Sequence, residues 1–400
     1  MNHYVARQPI FGRDQEVSAY ELLYRSELYN SYNNRDGDRA TTDVITNSLL
    51  LIGLDTLTRG KKAFINFTRN LLENEVATLL PTGLAVVEIL EDIEPDEKII
   101  EACKKLKKMG YQLALDDFVY DQKFKPLIEL ADIIKVDFKA TGAEERKAII
   151  NRIGKNKKYL AEKVETRKDF IQALEIGYSY FQGYFFSKPI IVSGKDIPCN
   201  KLIYLQLLRD LHSQGFDFDQ IESLFKRDVS LSYQLLKYIN SAVFSFRSEI
   251  NSIKQALVML GQKEINKWLS LVALKGMGKD KPDELFVTSI CRATLCELIA
   301  PKVGLSNCRS DLFLLGMFSL IDAFLDQPLP AILAGLPISI EIKKALLGEQ
   351  SIFNDVYNLV LFYEKGDWEN LHEITLKLGL DEAEVIRFYI DSLEMVNQIF

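Results

Sequence analysis

Between residues 84 and 187 the chain repeats one pattern: a short apolar run, then a carboxylate or lysine, then a stretch of helical periodicity. Leu84-Ala-Val-Val87 ends in Glu88, Gln112-Leu-Ala-Leu115 in Asp116-Asp117, Ala131-Asp-Ile-Ile134 in Lys135-Val-Asp137, and Lys158-Tyr-Leu-Ala161 in Glu162. Upstream, Ala63-Phe-Ile65 ends in Asn66. Continuous apolar runs of this length predict buried strands. Between them, Glu97 to Met109 places Ile99, Ile100, Cys103 and Leu106 on one helical face and stops at Gly110; Ala143 to Ile153 repeats the plan with Gly154. Strands alternating with helices predict a parallel sheet or a βα barrel, whose ligand chemistry sits at the carboxyl ends of the strands. Here those ends form an acidic mouth, and hard oxygen ligands gathered at one rim repel one another unless a divalent cation neutralises them.

The pattern changes near residue 190. Ile190 to Cys199 reads as a linker, and the chain beyond it has helical spacing: Leu202, Leu205, Leu208 and Leu211 on one helix, Leu231, Leu235, Leu236 and Ile239 on another. The expectation is two units, 1–192 built as an α/β barrel and 193–400 all-α.

Composition narrows the function classes. Four hundred residues, 48% hydrophobic, suffice for two cores, and a net charge of -7 argues against a broad nucleic-acid-binding surface. Five scattered cysteines (Cys103, Cys199, Cys291, Cys296, Cys308) with no CxxC pair favour reduced thiols over a disulfide framework or zinc site. The most apolar segment, Leu312 to Ile321, is about half the ~20 residues a membrane-spanning helix needs. A cytoplasmic protein is expected.

The residues at the strand ends, taken in order, resemble the EAL domain. Arg7-Gln-Pro-Ile10 and Tyr20-Glu-Leu-Leu-Tyr-Arg25 match its opening, with the Glu-Ala-Leu signature written here as Glu21-Leu22-Leu23. Matches continue through Ile65-Asn66-Phe67, Glu88-Ile-Leu-Glu91, Asp116-Asp117-Phe118, Lys135-Val-Asp137, Ala161-Glu-Lys-Val-Glu-Thr166 and Gln182-Gly-Tyr-Phe-Phe-Ser-Lys-Pro189. The resemblance implies a modified TIM-type βα barrel that cleaves the bacterial messenger cyclic di-GMP to pGpG with two Mg²⁺ or Mn²⁺ ions. It implies Glu21, Asn66, Glu88 and Asp116 as ligands of one metal, with Asp116 bridging to a second beside Asp117. Lys135 would hold the attacking water or the phosphate, and Glu162 would be the general base. Gln8, Arg25 and Gln182 would contact the dinucleotide, and Glu91, Asp137 and Glu165 would support the mouth.

Each residue also has a plainer reading. Asp116-Asp117 could cap a loop, Glu88 or Glu91 could be a solvated helix start, Arg25 and Lys135 surface charges, and Gln182-Gly-Tyr-Phe a strand kinked at Gly183. The set is more informative than its members, because carboxylates at several strand ends would destabilise one another without a cation.

Two departures from the pattern bear on catalysis. Asp-Asp-Phe is followed by Val119-Tyr-Asp-Gln-Lys-Phe-Lys125, where active members carry a loop rich in glycine and containing serine, and Lys163 stands where the pattern Glu-Gly-Val-Glu has glycine. The alternative to a phosphodiesterase is therefore a catalytically silent receptor or protein-interaction scaffold. The altered loop also leaves a homodimer open without implying one.

The second half, through Arg227 to Ser241, Phe244, Ile253-Lys-Gln-Ala-Leu257 and Leu260-Gly261, resembles the HDOD domain, an all-α module related to metallohydrolases of the HD type. That resemblance implies a protein partner or a regulatory role. A second hydrolase centre is not expected, because none of His3, His212 and His372 is followed by aspartate. Trp268 reads as a core anchor.

Overall fold

The computed structural model describes residues 4–25, 53–187, 235–236, 239–240, 250, 252–278, 281–336 and 338–399. The expected linker over 190–199 and the helix around Leu202 to Leu211 lie outside these residues, as does Leu231. Eight strands close a barrel in chain order: β1 (Tyr4–Phe11), β2 (Val17–Arg25), β3 (Lys62–Phe67), β4 (Ala85–Ile89), β5 (Gln112–Leu115), β6 (Ile133–Asp137), β7 (Lys158–Glu162) and β8 (Tyr180–Gln182). From β2 to β8 all neighbours are parallel, whereas β1 runs antiparallel to both β2 and β8. Five of them, β3 to β7, are the strands expected from the apolar runs, except that Asn66, Glu88, Lys135 and Glu162 lie within their strands and do not merely follow them.

Helices α1 (Leu54–Thr58), α2 (Arg69–Glu73), α3 (Glu97–Lys108), α4 (Lys125–Leu130), α5 (Ala143–Ile153) and α6 (Arg167–Ile176) accompany the barrel. Their ends obey local chemistry. The Asp96 carboxylate accepts from the Ile99 N–H at the start of α3, Thr166 caps α6 through the Asp169 N–H, and Gly110 and Gly154 turn the chain at φ 93° and 103° after α3 and α5.

The antiparallel first strand has a structural consequence. β1 and β2 are joined by a tight turn, with Gly12 N–H bonded to the Glu16 carbonyl at 2.8 Å, so their connection carries no crossover helix and, among the described residues, their outer face needs cover from elsewhere. The C-terminal half supplies that cover. It consists of α7 (Ile253–Met277, kinked at Gly261), α8 (Asp283–Ile299), α9 (Arg309–Phe318), α10 (Ile321–Leu325), α11 (Leu329–Gly335), α12 (Ile340–Leu346), α13 (Ile352–Lys365), α14 (Trp368–Leu378) and α15 (Glu382–Ile399). Tyr20 Oη donates to Glu284 of α8 at 2.9 Å, Tyr363 Oη of α13 donates to the Val5 carbonyl at 3.2 Å, and Asn397 of α15 donates to the Thr56 carbonyl at 3.1 Å. The guanidinium of Arg7, buried between the halves, donates to the Leu57 carbonyl at 2.6 Å and lies 4.5 Å from the centre of the Tyr20 ring. One apolar core therefore runs from the barrel's outer layer into the helices. Leu235 and Ile239, expected on one helical face, and Trp268, expected as a core anchor, belong to a second, smaller core cluster.

Among the described residues, no helix is long and apolar enough to cross a membrane.

Candidate functional site

Alternation along the strands builds the site. Ile10, Ala19, Phe64, Val86, Ala114, Ile133 and Leu160, with Tyr180 packed against them, fill the barrel interior as an apolar plug. Successive side chains on a strand face opposite sides, so the residue two positions on faces inward again, one layer nearer the mouth. Those residues are Glu21, Asn66, Glu88, Asp116, Lys135, Glu162 and Gln182. On antiparallel β1 the direction reverses, and Gln8 precedes Ile10 in the chain, directly opposite Glu21 in the ladder. Eight of the expected site residues thus form one ring above a dry plug, and the two-residue spacing from an apolar residue is the sequence signal that unites them.

At the centre of the ring is the Lys135 ammonium, with the side chain 1% exposed. It lies 2.7 Å from Glu88 Oε1, 2.7 Å from Asp116 Oδ1, 3.0 Å from Glu162 Oε1 and 3.6 Å from Glu21 Oε1. Gln182 Nε2 donates to Glu21 Oε2 at 2.5 Å and to Gln8 Oε1 at 3.1 Å, which fixes the Glu21 carboxylate from the other side.

One ammonium faces four carboxylates, so the cluster is short of positive charge whenever all four are ionised. The titration shifts follow from this. Burial pushes the Glu88 carboxyl well above the usual range, Lys135 pulls it back, and Glu21 and Asp116 add to the rise. Burial likewise pushes Glu162 up to about 8, against the pull of Lys135. Burial alone would lower the Lys135 pKa, but Glu162, Glu21, Glu88 and Asp116 together hold it well above that of free lysine. Several oxygens are also left over: Glu88 Oε2, Glu162 Oε2, Gln182 Oε1 and Asp117 Oδ1 are buried and have no hydrogen-bond partner among the described residues. A buried acceptor without a donor costs roughly 1–3 kcal/mol, more when charged.

Hard, unsatisfied oxygens and missing positive charge fit a divalent cation at the Glu21, Glu88 and Asp116 side of the ring. Among the described residues no three His, Cys, Asp or Glu side chains stand ready-made around a cation position, since Lys135 draws the carboxylates to itself. An incoming ion would compete with the ammonium for those oxygens. Asn66, half-buried at the end of β3 and opposite Glu88 in the ladder, stands beside this position.

The other expected residues are placed differently. Asp117 follows β5 in a left-handed backbone conformation at φ 38°, half-exposed at the rim. Asp137 accepts from the Lys139 and Ala140 N–H groups at 2.6 and 3.0 Å and forms an ion pair with Lys163. The Lys163 bond and those N–H donors hold its pKa below the ordinary value, although burial opposes them. Glu165 pairs with Lys139 outside the ring, and Glu91 is exposed on the turn after β4. Arg25 ends β2 opposite Tyr4; its side chain lies outside the described residues.

The loop after Phe118 holds itself without glycine. Phe118 is buried and its N–H donates to the Lys135 carbonyl at 3.0 Å, Asp121 caps a short turn at Gln122–Phe124, and the Phe124 ring meets Phe118 edge-on at 6.2 Å. Lys123 pairs with Glu94 at 2.8 Å, and Pro126 sits in the first turn of α4.

The sequence compares with known proteins over its whole length. Residues 46–189 match the EAL domain and residues 197–325 the HDOD domain. β1 and β2, which carry Gln8 and Glu21, precede the matched EAL segment yet complete the barrel. The chain is 40% identical to the uncharacterized protein YuxH of Bacillus subtilis over 408 aligned positions, covering 100% of this chain and 99% of that protein. It is 35% identical to the cyclic di-GMP phosphodiesterase CdgJ of Vibrio cholerae over 393, covering 97% and 91%. Among solved structures, Klebsiella pneumoniae BlrP1 in its calcium and cyclic di-GMP complex is similar at 21% identity and a TM-score of 0.38, over 47% of this chain and 56% of that one. With an eight-stranded barrel followed by helices and full-length relatives at this identity, the chain belongs to the family of proteins that join an EAL domain to an HDOD domain.

Proposed function

We propose that this protein is a cytoplasmic phosphodiesterase that opens cyclic di-GMP to pGpG using Mg²⁺ or Mn²⁺. The observation that carries the reading is the buried ring in which one ammonium faces four carboxylates and leaves Glu88 Oε2 and Glu162 Oε2 without partners. Glu21, Asn66, Glu88 and Asp116 would hold the ion, which supplies Lewis-acid polarisation of a phosphate oxygen and lowers the pKa of a bound water. The name of CdgJ, 35% identical over nearly the whole chain, supports the same activity.

The chain's own residues perform the remaining tasks. Glu162, whose Oε1 lies 3.0 Å from the Lys135 ammonium and whose Oε2 has no partner among the described residues, would be the general base, with a nearby cation offsetting the burial that otherwise raises its pKa. Lys135, buried among the carboxylates, would serve as a fixed donor toward the attacking oxygen or the phosphate. Gln182, held in turn by Gln8, orients Glu21, the two amides face the dinucleotide, and the plug below them keeps the floor of the site dry. Arg25 at the end of β2 is assigned to a phosphate, because a guanidinium offers a planar fork of donors.

In this reading the barrel unit spans 1–192, and the helical unit, 193–400, receives a protein partner. Its helices α8 and α13 contact β1 and β2, the strands that carry Gln8 and Glu21. A second reading, a silent receptor or scaffold, is favoured by the loop without glycine and by Lys163 at the rim.

The test is chromatography of cyclic di-GMP incubated with the purified protein and Mg²⁺ or Mn²⁺, alongside Glu21→Ala. pGpG from the wild type and none from the variant establishes the phosphodiesterase; no product from folded wild-type protein with either metal leaves the receptor or scaffold.

A further inference from the structure

We propose that the Lys163 ammonium is a built-in counter-cation for Asp117 and Asp137, so that the barrel holds one divalent ion tightly and a second only weakly. The inference deepens the phosphodiesterase reading and rests on it. Glu88, 0% exposed with Oε2 unpartnered, and its neighbours Glu21 and Asp116 make the strong position. The second position implied by the Asp116-Asp117 pair is different. Lys163 Nζ forms an ion pair with Asp137 Oδ2 and lies 3.8 Å from Asp117 Oδ2. A fixed positive charge at that distance offsets the negative charge that Asp117 would offer a metal and repels the metal itself.

The local backbone aims Lys163 there. Lys163 adopts φ 53°, a left-handed conformation that a side chain beyond Cα disfavours and glycine accepts freely. The turn is held on both sides of it: the Phe138 N–H donates to the Glu162 carbonyl at 3.0 Å, and the Val164 N–H to the Gln182 carbonyl at 2.9 Å. Asp137 is equally fixed, because its Oδ1 accepts the Lys139 and Ala140 N–H groups while Oδ2 faces the ammonium. The result is a cation bridging the ends of β5, β6 and β7 along the rim. Lys135 neutralises the floor of the ring in the same way, but it is enclosed by carboxylates in excess, whereas Lys163 meets two aspartates at an open edge.

The experiment is calorimetric titration of Mn²⁺ into the metal-stripped full chain, with Lys163→Gly, Lys163→Met and Glu88→Gln, and with electron paramagnetic resonance of the bound Mn²⁺ to detect paired ions. The methionine variant keeps the side chain's length without its charge, and the glycine variant also relaxes the backbone. The wild type should bind one Mn²⁺ tightly and a second far more weakly. Both Lys163 variants should tighten the weaker site by about 10–100-fold, the usual reach of a group acting on a ligand from outside. Their resonance signal should broaden through coupling of two ions. Two equally tight ions in the wild type, or a second site unmoved in both variants, overturns the inference and leaves the phosphodiesterase reading standing. No bound Mn²⁺ in the wild type overturns both, and Mn²⁺ binding unchanged in Glu88→Gln overturns the placement of the strong site.

Discussion

Two buried charge clusters, one in each half of the chain, behave oppositely. In the helices, Arg292 of α8 forms a bidentate pair with Glu364 of α13: Nε lies 2.9 Å from Oε1, Nη2 lies 2.7 Å from Oε2, and the remaining Nη1 donates to Ser319 Oγ at 3.1 Å. One cation meets one anion, and burial is offset by directed hydrogen bonds, with Glu364 and Tyr357 holding the Arg292 pKa above its ordinary value. In the barrel, Lys135 meets four carboxylates, and unpartnered oxygens remain. The first cluster is complete and pins two helices together. The second is balanced only if protons or an external cation enter, which is the usual mark of a site that binds or reacts.

Charge removal should therefore have opposite signs in the two clusters. Arg292→Ala strands the Glu364 carboxylate and should cost about 3–5 kcal/mol in a urea titration, as breaking a buried pair from one side does. Glu88→Gln relieves excess negative charge, and should stabilise the metal-free chain by on the order of 1 kcal/mol while abolishing metal binding and turnover. Destabilisation of similar size in both variants would erase the distinction between them.

pH sharpens the contrast. The Glu162 carboxyl titrates near 8 in the folded chain against 4.5 as its ordinary value, so between these two values the folded state binds more protons than the unfolded one. Stability of the metal-free protein should fall as pH rises from about 4.5 through about 8, the reverse of an ordinary ion-paired carboxylate. Mn²⁺ should raise the melting temperature more at pH 8 than at pH 6. A melting temperature that rises with pH over this window without metal would contradict the charge excess.

The smallest effect concerns the contact between the halves. Tyr20→Phe removes the hydroxyl that Glu284 accepts from at 2.9 Å and should lower stability by about 1 kcal/mol, with Arg7 still in place to face the acid. Equality of wild type and variant in urea unfolding would show that this bond does not help hold the helices to β1 and β2.

Much of this was legible in the linear pattern. The apolar runs ending at Asn66, Glu88, Asp116, Lys135 and Glu162 marked five strands and the mouth above them, because a strand's period of two and burial on both faces leave a local signature. Helix ends at Gly110 and Gly154 were equally local. The reversed first strand was not legible from periodicity, because alternation is the same read in either direction, and with it went the need for helices to cover β1 and β2.

The pairings were hidden for a related reason. Arg292 and Glu364 are 72 residues apart, and Lys163 reaches Asp137 across 26, distances over which no spacing rule connects two charges. Sequence by itself determined which residue types stood at which strand ends, and so the acidic character of the mouth, and that a strand-bearing part is followed by a helical one. Tertiary structure alone decided that Lys135 lies among the carboxylates while Lys163 guards the rim. Where a strand lies is encoded by local hydrophobic pattern, whereas charge balance depends on closing the barrel and bringing distant ends within a few ångströms.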